Sequence, residues 1–289
     1  MLVRYWFLAA RPKTLLAGVV PVMVGTALAY RFGAFVPVAA FLCLMFSLLS
    51  QIASNFGNDY YDFVKKTDDE SRVGPARAVA SGWISPEKMF RATFFTIFLA
   101  CAFGMGLVYY GGWQLIAVGA LCVVALLAYS AGPYPLSYNA LGDLFVLVFF
   151  GIVAVVFSCY VQTGEFLCES FVCGVAVGLS ATNILVVNNY RDYENDKKAG
   201  KRTTIVLFGR KFGACFYLMN GLLACVLSAY AIGGGYVALL PSMYLIPHFY
   251  LWRRLKLTEE GEALNKLLAQ TSLNLFFLGL LLSAGLVLR

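Results

Sequence analysis

Charge is what this 289-residue sequence has least of: 13% of its residues are Asp, Glu, Lys or Arg, about half the share usual in a soluble domain. With 61% hydrophobic residues and a mean hydropathy of +0.77, that scarcity excludes a soluble enzyme, a disordered chain and a coiled coil. Strict polar–apolar alternation is missing too, which argues against an outer-membrane barrel. The first apolar stretch lacks a small-residue cleavage site and is followed by further runs, so no cleavable signal peptide is expected. There is one histidine, His248, just after Pro247 within an apolar run, which reads as a satisfied interior residue. The eight cysteines show no metal-ligand spacing and read as small buried apolar groups.

What is present is long apolar runs. A bilayer crossing takes about 20 such residues, so the composition supplies roughly nine spans. The expected fold is all-α: a polytopic membrane protein, one domain over residues 1–289, with about nine transmembrane helices around a central cavity. The runs fall at 14–31, 35–57, 88–109, 113–131, 142–163, 166–187, 212–232, 235–252 and 269–288. With a cytoplasmic N-terminus, all but two of the 22 basic residues fall in inner segments; Arg31 and Arg289 are the exceptions. This orientation places the protein in the cell's inner (cytoplasmic) membrane. The net charge of +7 follows from that bias and from anionic lipid headgroups, so no nucleic-acid partner is expected.

The acids are more unevenly placed than the bases. Of 15 Asp and Glu, five lie in one inner loop (Asp59, Asp62, Asp68, Asp69, Glu70) and three in another (Asp192, Glu194, Asp196). Asn188, Asp192 and Asp196 are four apart, so on a continuing helix their oxygens share a face. Asn58 and Asp62 repeat the first step, with Asp68 farther on. The two Asn-x-x-x-Asp units predict two four-helix pseudo-repeats plus one appended helix, the two acidic faces meeting across one cavity. Hard oxygen donors of this kind suit Mg²⁺, which binds through few carboxylates together with substrate phosphates. The candidate metal ligands are therefore Asn58, Asp62, Asp68, Asn188, Asp192 and Asp196, with Asn58, Asp62, Asn188 and Asp192 as the catalytic core. Lys65, Lys66, Arg72, Arg77, Lys201 and Arg202 are interleaved with them and suit the same phosphates.

At these loops the sequence resembles the UbiA superfamily of intramembrane aromatic prenyltransferases, with its two Asp-rich motifs. Further stretches resemble the branch that acts on 1,4-dihydroxy-2-naphthoate in menaquinone synthesis. They are Arg11-Pro-Lys-Thr-Leu with Gly18 and Pro21, Asn58-Asp-Tyr-Tyr-Asp62 running to Asp68, Gly132-Pro-Tyr-Pro-Leu-Ser-Tyr138, Leu141-Gly-Asp143, and Val187-Asn-Asn-Tyr-Arg-Asp192 running to Thr203. The likeness covers about residues 8 to 210. One departure is Lys66, which stands where the wider superfamily often has a third Asp.

The resemblance implies that Mg²⁺ neutralises the diphosphate of a polyprenyl donor and the allylic C–O bond ionises. A ring carbon of the acceptor then attacks, and CO₂ is lost to give a demethylmenaquinone. It also implies a groove open to membrane lipid for the isoprenoid tail. Arg11 and Lys13 are placed to meet an acceptor carboxylate, and Tyr60, Tyr61, Tyr129, Tyr134, Tyr138 and Tyr190 to favour a cation. Another aromatic acceptor, such as 4-hydroxybenzoate or homogentisate, stays open as a reading. An ion-coupled transporter would carry its acids near the bilayer midplane, whereas here they cluster at one edge.

Overall fold

The computed structural model of the chain describes residues 2–65, 74–258 and 261–289, apart from the side chains of Leu2 and Glu262. Asp68 and Arg72, expected at the site, lie outside the described residues, as does Lys66. Among the described residues the regular structure is entirely helical. The helices are α1 (Leu2–Ala9), α2 (Leu16–Arg31), α3 (Pro37–Val64), α4 (Pro86–Gly111), α5 (Gln114–Ser130) and α6 (Gly142–Thr163). They continue with α7 (Cys168–Arg191), α8 (Tyr193–Lys198), α9 (Thr204–Ile232), α10 (Leu245–Leu257) and α11 (Glu262–Leu288).

Local chemistry sets several of the ends. Pro37 and Pro86 open α3 and α4, where the missing amide donor costs nothing. The Thr203 hydroxyl caps α9 by accepting from the Val206 amide at 3.2 Å. At the other end of α6, Gly164 takes φ 76°, a left-handed stop that suits glycine.

Among the described residues, six helices (α3, α4, α6, α7, α9 and α11) are long and apolar enough to cross a membrane, and residues 3–31, bent by 51°, bring the number to seven if that bent pair is one span. The chain is an integral, multi-pass membrane protein. Each of the nine expected runs is helical, yet two fall short of a crossing on length, and the first, the 16-residue α2, qualifies only together with residues 3–14. Helix α5 has 17 residues, and the run expected at 235–252 is divided between a 3₁₀ stretch, Tyr236–Tyr244, and the 13-residue α10. Pro241 lies within that 3₁₀ stretch and lacks the amide an α-helical ladder needs.

Packing follows apolarity. Helix α7 is the most enclosed of the spanning helices, and α3 the least. The most extensive contacts are α6 on α7 and α3 on α4, followed by α7 on α9; α3–α4 and α7–α9 are equivalent pairs in the two expected halves. A core from α2, α6, α7 and α11 joins those halves through Val20, Val24, Val155, Val177, Leu275 and Leu282. Phe41, Phe95, Phe98 and Trp113 point outward, as lipid-facing side chains do. At the end away from the acidic loops, Arg31 donates to the Ala231 carbonyl (3.3 Å) and Arg289 to that of Ile232. The two basic residues outside the inner segments thus both serve the C-terminus of α9, where a cation is favoured.

Within α6, residues Val146–Val153 form a π-helix. Beside it, the Gly151 backbone lies directly against Gly174 and Gly178 of α7. A β-carbon at Gly151 would come within 2.4 Å of the Gly174 carbonyl oxygen.

Candidate active site

Helix α3 runs a full two turns beyond the expected end of its span, to Val64, and carries Asn58 and Asp62 on its last turns. Helix α7 ends at Arg191, and Asp192 (φ −88°, ψ 8°) forms the junction to α8. Two i→i+4 bonds bridge that junction although Asp192 itself is a turn residue: the Asp192 amide donates to the Asn188 carbonyl (3.0 Å), and the Asp196 amide to that of Asp192 (2.7 Å). Four-residue spacing therefore survives the bend. Asn58, Asp62, Asn188, Asp192 and Asp196 all line one cavity of about 180 Å³, together with Arg11, Arg77, Tyr129, Asp143 and Lys201.

Asp62 is the best-connected carboxylate. It accepts from the Tyr138 hydroxyl at 2.7 Å and from Arg77 Nη2 at 3.1 Å. The Lys201 ammonium lies 3.7 Å from Asp62 and 3.7 Å from Asp196, so one cation stands between the two acidic units. Asp192 is paired by its neighbour: Arg191 Nε and Nη2 donate to its two oxygens at 2.8 and 2.7 Å. The same guanidinium donates to Asn188 Oδ1 and, across to α11, to Asn265 Oδ1, each at 2.9 Å. Asn58 Oδ1 accepts from the Ser130 hydroxyl. Asp143 accepts from the Thr204 hydroxyl at 2.6 Å, while its other oxygen is buried with no hydrogen-bond partner among the described residues.

Other acids and bases are used differently. Asp59 accepts from the Ala78 and Val79 amides at 3.0 and 3.2 Å, pinning the loop that presents Arg77 to Asp62. Lys65 turns from the cavity and donates to the carbonyls of Ser130 (2.8 Å) and Gly132 (3.4 Å). Burial holds its ammonium below the ordinary lysine pKa; Asp62 opposes that shift and Lys201 adds to it. The ring of Tyr138 lies between two ammonium groups, Lys65 at 4.9 Å and Lys201 at 4.6 Å from its centroid.

Three of the expected substrate contacts are not in the cavity wall. Lys65 is a latch, the Arg202 side chain is exposed, and Tyr190 is buried among Val186, Ile205, Tyr217 and Leu251 beneath Arg210. Arg191 and Asn265 enter the site from the structure alone, and Tyr138, expected for its ring, also gives its hydroxyl to Asp62.

A second, apolar cavity of about 320 Å³ adjoins the polar one, between α3, α4, α5 and α6. Cys43, Phe46, Leu107, Leu126 and Phe149 are among its walls, and Ser54, Phe145 and Phe150 line both cavities.

Solved structures share this fold. The apo structure of a UbiA homolog from Aeropyrum pernix K1 superposes with a TM-score of 0.73 at 16% identity, covering 96% of this chain and 98% of that one. A UbiA homolog from Archaeoglobus fulgidus bound to DMAPP and Mg²⁺ gives a TM-score of 0.65 at 20% identity, over 96% and 99%. In sequence, the chain is 38% identical over 231 residues to the 1,4-dihydroxy-2-naphthoate octaprenyltransferase of Escherichia coli, 76% of this chain and 74% of that protein. It is 33% identical to the Haemophilus influenzae protein of the same name, over 99% and 96%. Human UbiA prenyltransferase domain-containing protein 1 is 31% identical over 98% of this chain and 83% of that protein. The UbiA prenyltransferase family model matches residues 18–281, and the chain belongs to that family.

Proposed function

We propose that the protein transfers a polyprenyl group from polyprenyl diphosphate to 1,4-dihydroxy-2-naphthoate, releasing diphosphate and CO₂ and giving a demethylmenaquinone. The observation that carries this reading is the polar cavity where both acidic units meet around Lys201, adjoined by an apolar cavity of a size for isoprene units. The names of the bacterial relatives support the acceptor.

Among the described residues, no three acidic, histidine or cysteine groups are gathered into a preformed metal cage. That fits Mg²⁺, which keeps several waters and takes one or two carboxylates plus substrate phosphates. Asp62 with Asn58, and Asp192 and Asp196 with Asn188, are the residues that would hold it. When bound, the ion supplies positive charge to the diphosphate leaving group.

The chain's own residues do the rest. Lys201, Arg77 and Arg11 line the cavity as donors to phosphate oxygens or to an acceptor carboxylate. The Tyr138 hydroxyl and Arg77 hold the Asp62 carboxylate in one orientation. Arg191 does the same for Asp192 and Asn188. The enclosing helices keep water from an allylic cation until the acceptor carbon attacks. The single domain, the inner-membrane location and a cytoplasmic N-terminus and site belong to this reading and rest on the distribution of basic residues.

The test offers the purified protein a panel of aromatic acids with a long-chain prenyl diphosphate and Mg²⁺. Product mass reports acceptor, chain length and decarboxylation together. The expected product is a prenylated naphthoquinol lacking the carboxyl group. Transfer only to 4-hydroxybenzoate or homogentisate would move the acceptor assignment, and no prenylated product with any acid would overturn the reading.

A further inference from the structure

The π-helix of α6 lies where the polar and apolar cavities meet. Of all the residues lining the two cavities, Ser54, Phe145 and Phe150 line both; Phe150 lies within the π-helix and Phe145 is the residue that caps its start. Phe145 is buried and Phe150 half-buried; their ring centroids are 6.4 Å apart, with the planes at 60°. Residues five apart in an α-helix are separated by about 1.4 turns and point to different sides. In a π turn the i→i+5 hydrogen bond brings residue i+5 back over residue i. The π register is therefore what lets Phe145 and Phe150 face the same junction. Gly151, Gly174 and Gly178 allow it, because α6 and α7 touch backbone to backbone there. π segments are uncommon and recur at functional sites.

A substrate whose headgroup lies among Asp62, Asp192 and Lys201 and whose tail lies in the apolar cavity must pass this junction close behind its headgroup. The atoms there are the first allylic carbons. We propose that Phe145 and Phe150 are catalytic residues whose ring faces stabilise the allylic cation as it forms, a role that rests on the prenyl-transfer reading above. In that step the bond between the first allylic carbon and the diphosphate oxygen breaks, and both electrons leave with oxygen. Positive charge spreads over the allylic carbons beside the rings, whose π-faces are negative. The acceptor ring carbon then donates the electron pair of the new C–C bond. Loss of CO₂ returns the pair of the breaking C–CO₂ bond to the ring.

The experiment replaces Phe145 or Phe150 in the full-length protein with mono-, di- and trifluorinated phenylalanines, which weaken the π-face at nearly constant shape. Phe98, which points outward from α4 and lines neither cavity, serves as the control. Single-turnover transfer to 1,4-dihydroxy-2-naphthoate is expected to fall stepwise with fluorination at 145 or 150, by about 3- to 30-fold across the series. Affinity for a non-ionisable prenyl diphosphate analogue is expected to stay within about twofold, since the interaction is made only as charge develops. A rate independent of fluorination, even where Phe150→Leu is impaired, would show the rings to be walls only and overturn the proposal. An equal fall at Phe98 would overturn it as well. If the unmodified protein forms no prenylated product, the prenyl-transfer reading fails and the proposal falls with it.

Discussion

Asp62→Asn isolates the charge at the centre of the site. Asparagine keeps the shape and an oxygen for the Tyr138 hydroxyl but leaves Arg77 and Lys201 facing a neutral group. At an effective dielectric constant of about 20, unit charges 3.1 and 3.7 Å apart attract by about 5 and about 4.5 kcal/mol before desolvation. The side chains of Asp62, Arg77 and Lys201 are 8, 10 and 13% exposed, so solvent screening is slight. Breaking a buried pair from one side costs about 3–5 kcal/mol net, part of which appears as lower thermal stability in detergent. The effect on catalysis is separate. Losing one carboxylate weakens the hold on Mg²⁺, and loss of a preorganised positive group at a developing anion slows reactions about 10²- to 10³-fold, equivalent to about 2.7–4 kcal/mol. Single-turnover prenyl transfer at saturating Mg²⁺ is therefore expected to slow by that factor, and half-saturating Mg²⁺ to rise. Tyr138→Phe, which removes a hydrogen bond and no formal charge, is expected to cost less than about tenfold. Turnover of Asp62→Asn within about threefold of the unmodified protein would refute a charge-based role for this carboxylate.

Further outcomes can be checked independently. Lys201→Met is expected to raise KM for the prenyl diphosphate about tenfold with a smaller change in kcat, as loss of a charge-assisted contact to phosphate does; an unchanged KM counts against that contact. Gly151→Ala forces a β-carbon against the Gly174 carbonyl and is expected to cost about 1–3 kcal/mol, lowering Tm by several degrees in a detergent melt. Because burial lowers the Lys65 pKa and Asp62 raises it, Lys65 is expected to react with amine reagents at a lower pH than ordinary lysines. Asp62→Asn should move that midpoint lower still, and a midpoint at the free-lysine value contradicts the buried geometry.

The acidic units were legible because a four-residue step means one helix face, and α3 and α7 continue as helices into both units. Tyr190 shows the same rule from the other side. Two residues from both Asn188 and Asp192, it points away from their face and into the apolar core. Arg191 is a different case. Adjacent residues do not face each other on a straight helix, and its bidentate grip on Asp192 depends on the bend at position 192. The contribution of Tyr138 comes from a loop between helices, where periodicity has nothing to say. The π segment is equally silent, because an uninterrupted apolar run such as Val146–Val153 has no polar phase from which its turn can be read. The spans expected at 113–131 and 235–252 were found by apolarity, which does not register a 3₁₀ stretch or a short helix.

Among the described residues, the polar cavity holds four carboxylates, Asp62, Asp143, Asp192 and Asp196, against Arg11, Arg77 and Lys201 in its wall and Arg191 clasping Asp192. Formally these cancel, so a diphosphate meets no large attractive field and adds several negative charges to a buried space. It can settle there only with cations of its own. Headgroup and divalent ion then raise each other's affinity by the same factor, whichever arrives first. Scarce Mg²⁺ would accordingly leave the prenyl donor partitioned in lipid, making the ion a control on substrate occupancy as well as on the chemical step.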